Sequence, residues 1–169
     1  LDMKTNGLQF FCHDMRETFK ANHFDYAFNF FTSFGYFDTH EEHQLAISAM
    51  AANLKENGTL VLDYLNVGVV ESFADADAVT QIDTFIFHTK KRHDDLFLFK
   101  EIRVVDAVSS EVLGVFEERV RKYSLNDFTL FMQNAGLEIV ETFGNYQLQA
   151  YQYEMSDRLI MVAKKHSIS

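Results

Sequence analysis

The densest run of apolar side chains lies between Phe24 and Phe31, where aromatic residues alternate with smaller or polar ones. Such a run is typical of a strand that is covered on both faces within a parallel sheet, and it predicts a central strand. At Thr32 the chain turns polar and contains a glycine, and a capping box over 39–42 then predicts the start of a helix. The stretch 24–38 therefore predicts a strand that is followed by a loop and then by the start of a helix.

The helix is predicted over 39–55, with Gly58 just past its end as the stop signal. Its buried face is predicted to carry Leu45, Ala49, Met50 and Leu54, which recur at helical spacing. The next run, 59–65, is apolar apart from Asp63 and predicts a second central strand. Strand, helix and strand in this order predict a parallel pair joined by a crossover.

A shorter apolar run, Leu8–Cys12, predicts another buried strand near the start of the sequence. Cys12 is the single cysteine, which excludes an intramolecular disulfide and is typical of a reducing compartment. Its place in this run favours a small buried hydrophobe over a nucleophile. The first residue is Leu1 rather than methionine, which predicts that the sequence is a piece of a longer chain.

The middle of the chain changes character, with a short helix-like piece at 69–73 followed by three long β-prone runs. These runs are Thr80–Arg92, Leu96–Val108 and Val112–Tyr123. The segments that connect these runs are too short for anything but hairpin turns, so 78–123 is predicted to form an inserted antiparallel meander. The pattern leaves open whether this insertion is a lid or a dimer surface.

The alternation of helices and strands resumes at Ser124, which is predicted to cap a helix that stops at Gly136. Strands are predicted over Leu137–Phe143 and Arg158–Ala163, and a loop rather than a helix joins them. This last pair should therefore be antiparallel. Together the elements predict a single α/β domain over 1–169.

Composition narrows the classes of partner. The chain has 169 residues, is 47% hydrophobic and carries a formal net charge of −10. That charge repels a phosphate backbone, and no basic cluster exceeds Lys90–Arg92, so we expect no nucleic-acid partner and favour a small-molecule or protein substrate. With no signal peptide and no apolar run of about 18 residues, we expect a soluble, cytoplasmic protein without a membrane partner.

Candidate chemistry lies where strands end, because ligands of open α/β sheets bind at the carboxyl edge. The loop 31–37 is therefore a site candidate, with an ordinary strand-to-helix connection as the alternative. His40 and His43 could share a metal ion, but two ligands without a third favour exposed helix residues, so no metal is predicted. Asp25 and Asp63 are interpreted as structural.

These stretches resemble class I S-adenosylmethionine-dependent methyltransferases of the small-molecule branch. The fourth and fifth strands of that family are similar to FDYAFNFFTSFGYF and LKENGTLVLDYLN, and the later region resembles RKYSLNDFTLFMQNAGLEIVETFG and DRLIMVAKK. The SFGY loop and the meander most resemble amine methyltransferases, such as nucleotide-sugar N-methyltransferases. The resemblance implies a Rossmann-like methyltransferase fold, mostly parallel with an antiparallel last strand, and S-adenosyl-L-methionine as cofactor.

The resemblance also predicts a missing part. The family binds its cofactor mainly through a glycine-rich turn, and this sequence contains no G-x-G. Leu8–Cys12 matches the third strand of the family, so the first two strands are expected upstream of Leu1. The sheet would then be truncated at its N-terminal side, and the exposed edge of 24–31 would invite association, for example as a homodimer.

Site roles follow from the resemblance residue by residue. Asp14 matches the acid that accepts a hydrogen bond from the adenine amino group, and Met15 matches its neighbour against the ring. Phe30, Phe31 and Thr32 match the strand exit that flanks the methionine part of the cofactor. Ser33 and Tyr36 are placed to face the substrate, and Tyr36 could orient an amine through its hydroxyl.

The function expected from this resemblance is methyl transfer to a small-molecule acceptor such as an amine, by a chain that is inactive alone. A non-catalytic interaction or regulatory remnant of the same fold is the alternative. Another Rossmann-like enzyme is a third option, which the antiparallel final pair disfavours.

Overall fold

The computed structural model of the chain describes residues 7–70 and 77–166. Its elements, in chain order, are β1 (Phe24–Asn29), α1 (His40–Asn53), β2 (Leu54–Leu65), α2 (Val67–Val70), β3 (Asp77–Ile82), β4 (Phe85–His93), β5 (Phe97–Asp106), β6 (Val112–Arg121), α3 (Leu125–Asn134), β7 (Leu137–Phe143) and β8 (Arg158–Lys165). No helix in these two ranges is long and apolar enough to cross a membrane.

The first sheet has the strand order β1-β2-β8-β7. β1 runs parallel to β2, as the strand-helix-strand pattern predicted, and β8 is antiparallel to both β2 and β7. The predicted α/β class and the antiparallel last pair are thus confirmed. Within the described residues, β1 with β2 is the one parallel pairing.

The core lies between this sheet and the helices α1 and α3. Alternate residues of β2, namely Leu60, Leu62 and Tyr64, are fully buried on the helix side. Phe34, from the loop after β1, is also fully buried. Its ring centroid lies 5.1 to 6.3 Å from those of His43, Tyr64, Tyr123, Phe128 and Phe131. An aromatic cluster therefore joins the loop to both helices.

Both predicted helix starts are confirmed as capping boxes, at Thr39 for α1 and at Ser124 for α3. The predicted end of α1 was wrong, because the helix ends at Asn53 and Gly58 lies inside β2. Leu54 is extended and fully buried, and it pairs with β1, so strand pairing ends the helix earlier than the glycine would. Leu45, predicted to be buried, is 54% exposed.

The second sheet is the predicted antiparallel meander, but it has four strands instead of three, in the order β3-β4-β5-β6. The run predicted over 80–92 is divided between β3 and β4. Asp83, in the turn between them, has a φ of +51°, a left-handed conformation that ends a strand. Of the helix-like piece predicted at 69–73, positions 69–70 belong to α2 and the rest lies outside the described residues.

The prediction of a buried strand at Leu8–Cys12 was wrong. These residues belong to no strand, and Leu8, Phe10, Phe11 and Cys12 are exposed. The run has no partner strand in the described chain, and apolar content alone does not make a strand without ladder hydrogen bonds.

The prediction that β1 is covered on both faces was also wrong. β1 is the edge of the first sheet, and Tyr26 and Phe28 are 62% and 59% exposed. The helix side of β1 is packed, and Asn29 there is 6% exposed. Its other face and its outer edge have no covering element in the described part of the chain, as the resemblance led us to expect.

Candidate active site

The loop that follows β1 begins with a strained turn. Phe31 and Thr32 have φ values of +59° and +55°, in the left-handed region that residues other than glycine rarely adopt. The strain is greater for Thr32, whose side chain is β-branched, and each residue of this kind costs on the order of 1 kcal/mol or more. Surrounding contacts must hold such a turn in place, and turns of this kind cluster at functional sites.

Those contacts come from Asp63 at the end of β2. Its carboxylate is fully buried and accepts hydrogen bonds from the backbone N–H of Phe31, the hydroxyl of Tyr146 and Nε of Arg158, at 2.8, 2.8 and 2.7 Å. The carbonyl of Asp63 accepts from the backbone N–H of Thr32 at 3.3 Å. Nη2 of Arg158 donates to Oγ1 of Thr32 at 2.8 Å. Both backbone N–H groups of the turn and the hydroxyl oxygen of Thr32 therefore have partners from Asp63 or Arg158.

A cavity of about 340 Å³ opens beside this turn, between the end of the first sheet and the meander. The loop and the first sheet contribute Thr32, Tyr36, Leu65 and Arg158, and the meander contributes apolar side chains such as Leu98 and Phe99. The cavity is largely apolar with a few polar groups, which is the usual character of a small-molecule site.

Cationic side chains outnumber acids around the cavity. Lys91, Arg92, Lys100 and Arg158 line it against a single acid, Glu118. Arg92 pairs with Glu117, Lys100 with Glu118 and Arg158 with Asp63. Lys91 alone of these cations has no acidic partner among the described residues, so the described lining of the cavity carries a net positive charge in an otherwise acidic chain.

The close approach of loop and sheet depends on Gly35. Its φ is +105°, and a Cβ atom there would lie 2.5 Å from the hydroxyl oxygen of Tyr64. The carbonyl of Gly35 also accepts a hydrogen bond of 2.9 Å from the backbone N–H of Arg121, at the end of β6. The glycine therefore joins the loop to the meander at a point where no side chain fits.

Of the two residues predicted to face the substrate, Tyr36 lines the cavity together with Thr32. Burial and the nearby Glu118 carboxylate raise the pKa of Tyr36 above its ordinary value, so its hydroxyl is neutral at physiological pH. Ser33 is exposed, and its hydroxyl donates to the carbonyl of Phe30 at 2.8 Å. The structure therefore does not place Ser33 among the residues that line the cavity.

Asp14 and Met15 lie in the segment before β1, away from this cavity. Met15 lines a second cavity of about 300 Å³ with Phe11, Phe19 and Met50. The carboxylate of Asp14 is hydrogen-bonded to the guanidinium of Arg16, which lowers the pKa of Asp14 to about 2. Arg16 also pairs with Glu42 in the capping box of α1, so it links the Asp14 segment to the start of that helix.

Phe30 and Phe31 lie in a row of exposed aromatic side chains. The rings of Tyr26, Phe28 and Phe30 are stacked along β1 with centroid distances of 6.1 and 5.3 Å, and Phe31 is 79% exposed. We call Tyr26, Phe28, Phe30 and Phe31 the aromatic row. It presents an apolar surface at the edge of the sheet.

The two histidines of α1 have different environments. His43 was predicted to be exposed, but it is fully buried in the aromatic cluster, with Nδ1 at 2.7 Å from the carbonyl oxygen of Thr39. His40 stacks on Phe131 at the surface of the helix. Across residues 7–70 and 77–166, no three His, Cys, Asp or Glu side chains are grouped as a metal site would need.

Sequence reasoning missed Arg158, Tyr146 and the meander cations as site residues. Asp63 was the lone acid of an apolar strand, and Arg158 was the lone cation at the start of another. Two opposite charges on strands that are both buried usually pair, so this combination could have predicted the Asp63–Arg158 ion pair.

Comparisons with known proteins identify the fold. The chain is similar to an S-adenosylmethionine-dependent methyltransferase from Clostridium acetobutylicum ATCC 824, with a TM-score of 0.77 and 16% identity over 92% of this chain and 64% of that one. It is also similar to the methyltransferase CcbJ from Streptomyces caelestis (TM-score 0.77, 17% identity, 92% and 62%). CalS10, an amino pentose methyltransferase from Micromonospora echinaspora, has a TM-score of 0.69 and 21% identity over 90% and 63%.

The chain thus has the fold of S-adenosylmethionine-dependent methyltransferases, as the sequence resemblance predicted. It spans less than two thirds of the length of these structures. No family model matches the sequence, and no curated protein matches it.

The described residues fit one end of the cofactor that these structures use. Met15 and Phe19 line the second cavity together with polar residues such as Glu17 and Asn53. Asp14, which stays ionised, lies between two of its lining residues in sequence, and an ionised carboxylate can accept a hydrogen bond from an exocyclic amino group. A glycine turn for the rest of the cofactor is absent from the sequence, which contains no G-x-G. The roles that the resemblance implies, Asp14 and Met15 at the adenine end and the strand exit at Phe30–Thr32 beside the methionine part, therefore stay predictions.

Proposed function

We propose that this chain contributes the acceptor side of an S-adenosylmethionine-dependent methyltransferase that acts on a small molecule, with an amine as the favoured acceptor. The observation that carries the proposal is the cavity beside the Phe31–Thr32 turn in a methyltransferase fold. Amino-sugar methyltransferases among the similar structures, such as CalS10, support an amine acceptor.

Within this proposal, Tyr36 positions the acceptor. Its neutral hydroxyl lines the cavity next to Thr32, where it can accept a hydrogen bond from an amine N–H. The cofactor supplies an activated methyl group when bound, so the main task of the protein is to align the acceptor and exclude water. Apolar walls from Leu65, Leu98 and Phe99 serve the second task.

The positive charge of the cavity supports an acceptor that also carries an anionic group. Lys91 is the favoured partner for that group, because its ammonium has no acidic neighbour among the described residues. The other cations of the cavity are already held by Glu117, Glu118 and Asp63.

A methylation assay tests the proposal. The protein expressed from the complete reading frame is incubated with labelled S-adenosylmethionine and a panel of small amines, alcohols and acidic amines, and transfer of label is measured. Tyr36→Phe should lower kcat/KM by about tenfold, because the hydroxyl that orients the acceptor is lost. Tyr153→Phe is the matched control, because Tyr153 is 50% exposed and is not among the residues that line the cavity.

The 169-residue chain should bind S-adenosylhomocysteine weakly or not at all in isothermal titration, because it lacks a glycine turn. Tight binding by this chain alone would contradict the expectation that a glycine turn absent from these 169 residues supplies most of the cofactor binding.

A non-catalytic interaction module is the second candidate, and the exposed aromatic row favours it. The coding sequence upstream of Leu1 discriminates between the two. A segment there with a strand and a G-x-G turn favours the enzyme, and its absence together with no methyl transfer favours the module.

A further inference from the structure

The turn after β1 is held in an unfavourable conformation by a small number of groups. Phe31 and Thr32 are consecutive left-handed residues, and neither is glycine or asparagine. Such a conformation persists only if the surroundings determine it. Specific neighbouring groups must therefore hold Phe31 and Thr32 in this conformation.

The turn is closed locally by the N–H and hydroxyl of Ser33, which donate to the carbonyl of Phe30 at 3.3 and 2.8 Å. From outside the loop, the side chains of Asp63, Arg158 and Tyr146 converge on it. We propose that they form a positioning unit that holds Phe31 and Thr32 in the left-handed conformation and thereby fixes the wall of the acceptor cavity. The role of this unit in positioning an acceptor rests on the proposed function. Its role in holding the turn rests only on the contacts of these side chains.

The first step of the argument is that one buried residue holds both backbone N–H groups of the turn. The carboxylate of Asp63 accepts from Phe31 at 2.8 Å, and its carbonyl accepts from Thr32 at 3.3 Å. If the turn relaxed to an extended conformation, both N–H groups would rotate away, and the buried Asp63 carboxylate would keep only its donors from Tyr146 and Arg158. That loss opposes relaxation of the turn.

The second step is that Arg158 and Tyr146 hold Asp63 itself. Arg158 donates from Nε to one carboxylate oxygen at 2.7 Å, and Tyr146 donates to the other at 2.8 Å. A buried carboxylate without these donors would be uncompensated. Arg158 also reaches past Asp63 to Oγ1 of Thr32, so the same guanidinium fixes the acid and the turn.

The third step links the unit to the cavity. Thr32 and Arg158 both line the cavity that contains Tyr36. A rotation of the turn would therefore move the cavity wall next to the residue that we propose to orient the acceptor. This placement makes Asp63, which is fully buried, a positioning residue that acts through Thr32 and Arg158.

Nuclear magnetic resonance of the 169-residue chain tests the geometry. A positive φ brings the amide and α protons of one residue close together, which gives a strong cross-peak between them. We expect this strong cross-peak for Phe31 and Thr32 in the unaltered chain. It should be lost for both residues in Asp63→Asn and weakened in Tyr146→Phe.

Arg158→Lys and Thr32→Ser separate the contacts. Lysine keeps the charge beside Asp63 but loses the fork that reaches Thr32, so the cross-peak of Thr32 should weaken more than that of Phe31. Serine keeps Oγ and should retain both. Asp25→Asn, which removes an exposed ion pair with Lys55, and Tyr153→Phe are the controls and should change neither.

Unchanged cross-peaks in Asp63→Asn and Arg158→Lys would overturn the proposal. If Asp63→Asn does not fold, as judged by loss of a cooperative thermal transition, Tyr146→Phe and Arg158→Lys decide it by the same criterion.

Steady-state kinetics with the protein expressed from the complete reading frame test whether the unit positions the acceptor. Tyr146→Phe and Arg158→Lys should raise KM for the acceptor or lower kcat by about tenfold each, whereas Tyr153→Phe should leave both unchanged. Absence of methyl transfer by the unaltered protein would contradict the proposed function. The cross-peaks of Phe31 and Thr32 would still decide the positioning unit.

Discussion

Arg16 controls the ionisation of Asp14, the acid that we assign to the adenine end of the cofactor. Its guanidinium donates to both carboxylate oxygens and lowers the pKa of Asp14 to about 2. We therefore expect Arg16→Gln to raise the pKa of Asp14 toward its ordinary value, because the hydrogen bonds that favour the charged form are lost. Titration of the side-chain carboxyl signal by nuclear magnetic resonance measures the change.

Arg92→Gln is the matched control, since Arg92 lies in the meander and pairs there with Glu117 instead of Asp14. The pKa of Asp14 should be the same in this variant as in the unaltered protein. If Asp14 titrates at its ordinary pKa before any substitution, the Arg16 contact does not exist in solution.

His43 should make stability depend on pH. Burial in the aromatic cluster lowers its pKa below the ordinary value of about 6.5. At this position the unfolded chain then binds a proton more readily than the folded chain. The contribution of neutral His43 to the free energy of unfolding is therefore present above about pH 6.5 and is lost as the pH falls toward the folded-state pKa. Urea unfolding at about pH 7.5 and about pH 5.5 should give a lower free energy of unfolding at the lower pH.

His43→Phe should reduce this difference between the two pH values, whatever its effect on stability at either one. His93→Phe, at an exposed position of β4, should leave the difference unchanged. An equal pH dependence in His43→Phe and the unaltered protein would mean that His43 is not the group responsible.

Residue by residue, the sequence could predict which loop carries the site but not which of its side chains point inward. The loop offers Phe31, Phe34 and Phe37 with similar hydrophobicity, yet Phe34 is fully buried and Phe31 is 79% exposed. The difference comes from the positive φ values at Phe31, Thr32 and Gly35, which no periodicity encodes. The placement of Tyr36 and Ser33 depends on the same turns.

At the scale of the elements, the capping box of α1 is a local device with a measurable contribution. The hydroxyl of Thr39 accepts from the N–H of Glu42, and the carboxylate of Glu42 accepts from the N–H of Thr39 at 3.0 Å. Thr39→Ala should lower the free energy of unfolding by about 1 kcal/mol, because an N–H group of the first turn loses its partner. Urea denaturation measures it.

Thr39→Ser provides the control for this prediction, because serine keeps the accepting oxygen. It should retain most of the stability that alanine loses. A loss in Thr39→Ser as large as in Thr39→Ala would assign the effect to the threonine methyl group instead of the cap.

Helix starts were predictable because capping boxes are local in sequence, whereas element ends were set by pairing. α1 ends before Gly58 because Leu54 joins β2 and pairs with Phe24, a contact distant in sequence. The extra hairpin of the meander turns at Asp83, whose left-handed conformation no periodicity encodes. Leu8–Cys12 has the composition of a strand, but no strand lies beside it in the described chain. Composition alone does not show whether a pairing partner is present.

At the scale of the whole molecule, the open edge of β1 predicts association. The aromatic row is exposed beside backbone groups of an edge strand, an arrangement that promotes pairing with another chain. We expect concentration-dependent self-association of the 169-residue chain in sedimentation velocity. Phe28→Asp should weaken it by about tenfold or more, because a charge at the centre of the row would be buried.

Val79→Asp, on the exposed strand β3 of the meander, tests the other surface in the same assay. It should leave association unchanged if β1 is the contact. Loss of association in Val79→Asp but not in Phe28→Asp would make the meander the dimer surface.

The meander is one continuous segment, 77–121, and it supplies one complete wall of the cavity. It meets the rest of the molecule at few polar points, among them Gly35 with Arg121 and Asp38 with Arg119. A single stretch of the gene therefore encodes half of what an acceptor would touch. If the proposed function holds, recombination that exchanges this stretch between related genes would alter the choice of acceptor while the strained turn and its buried carboxylate stay in place.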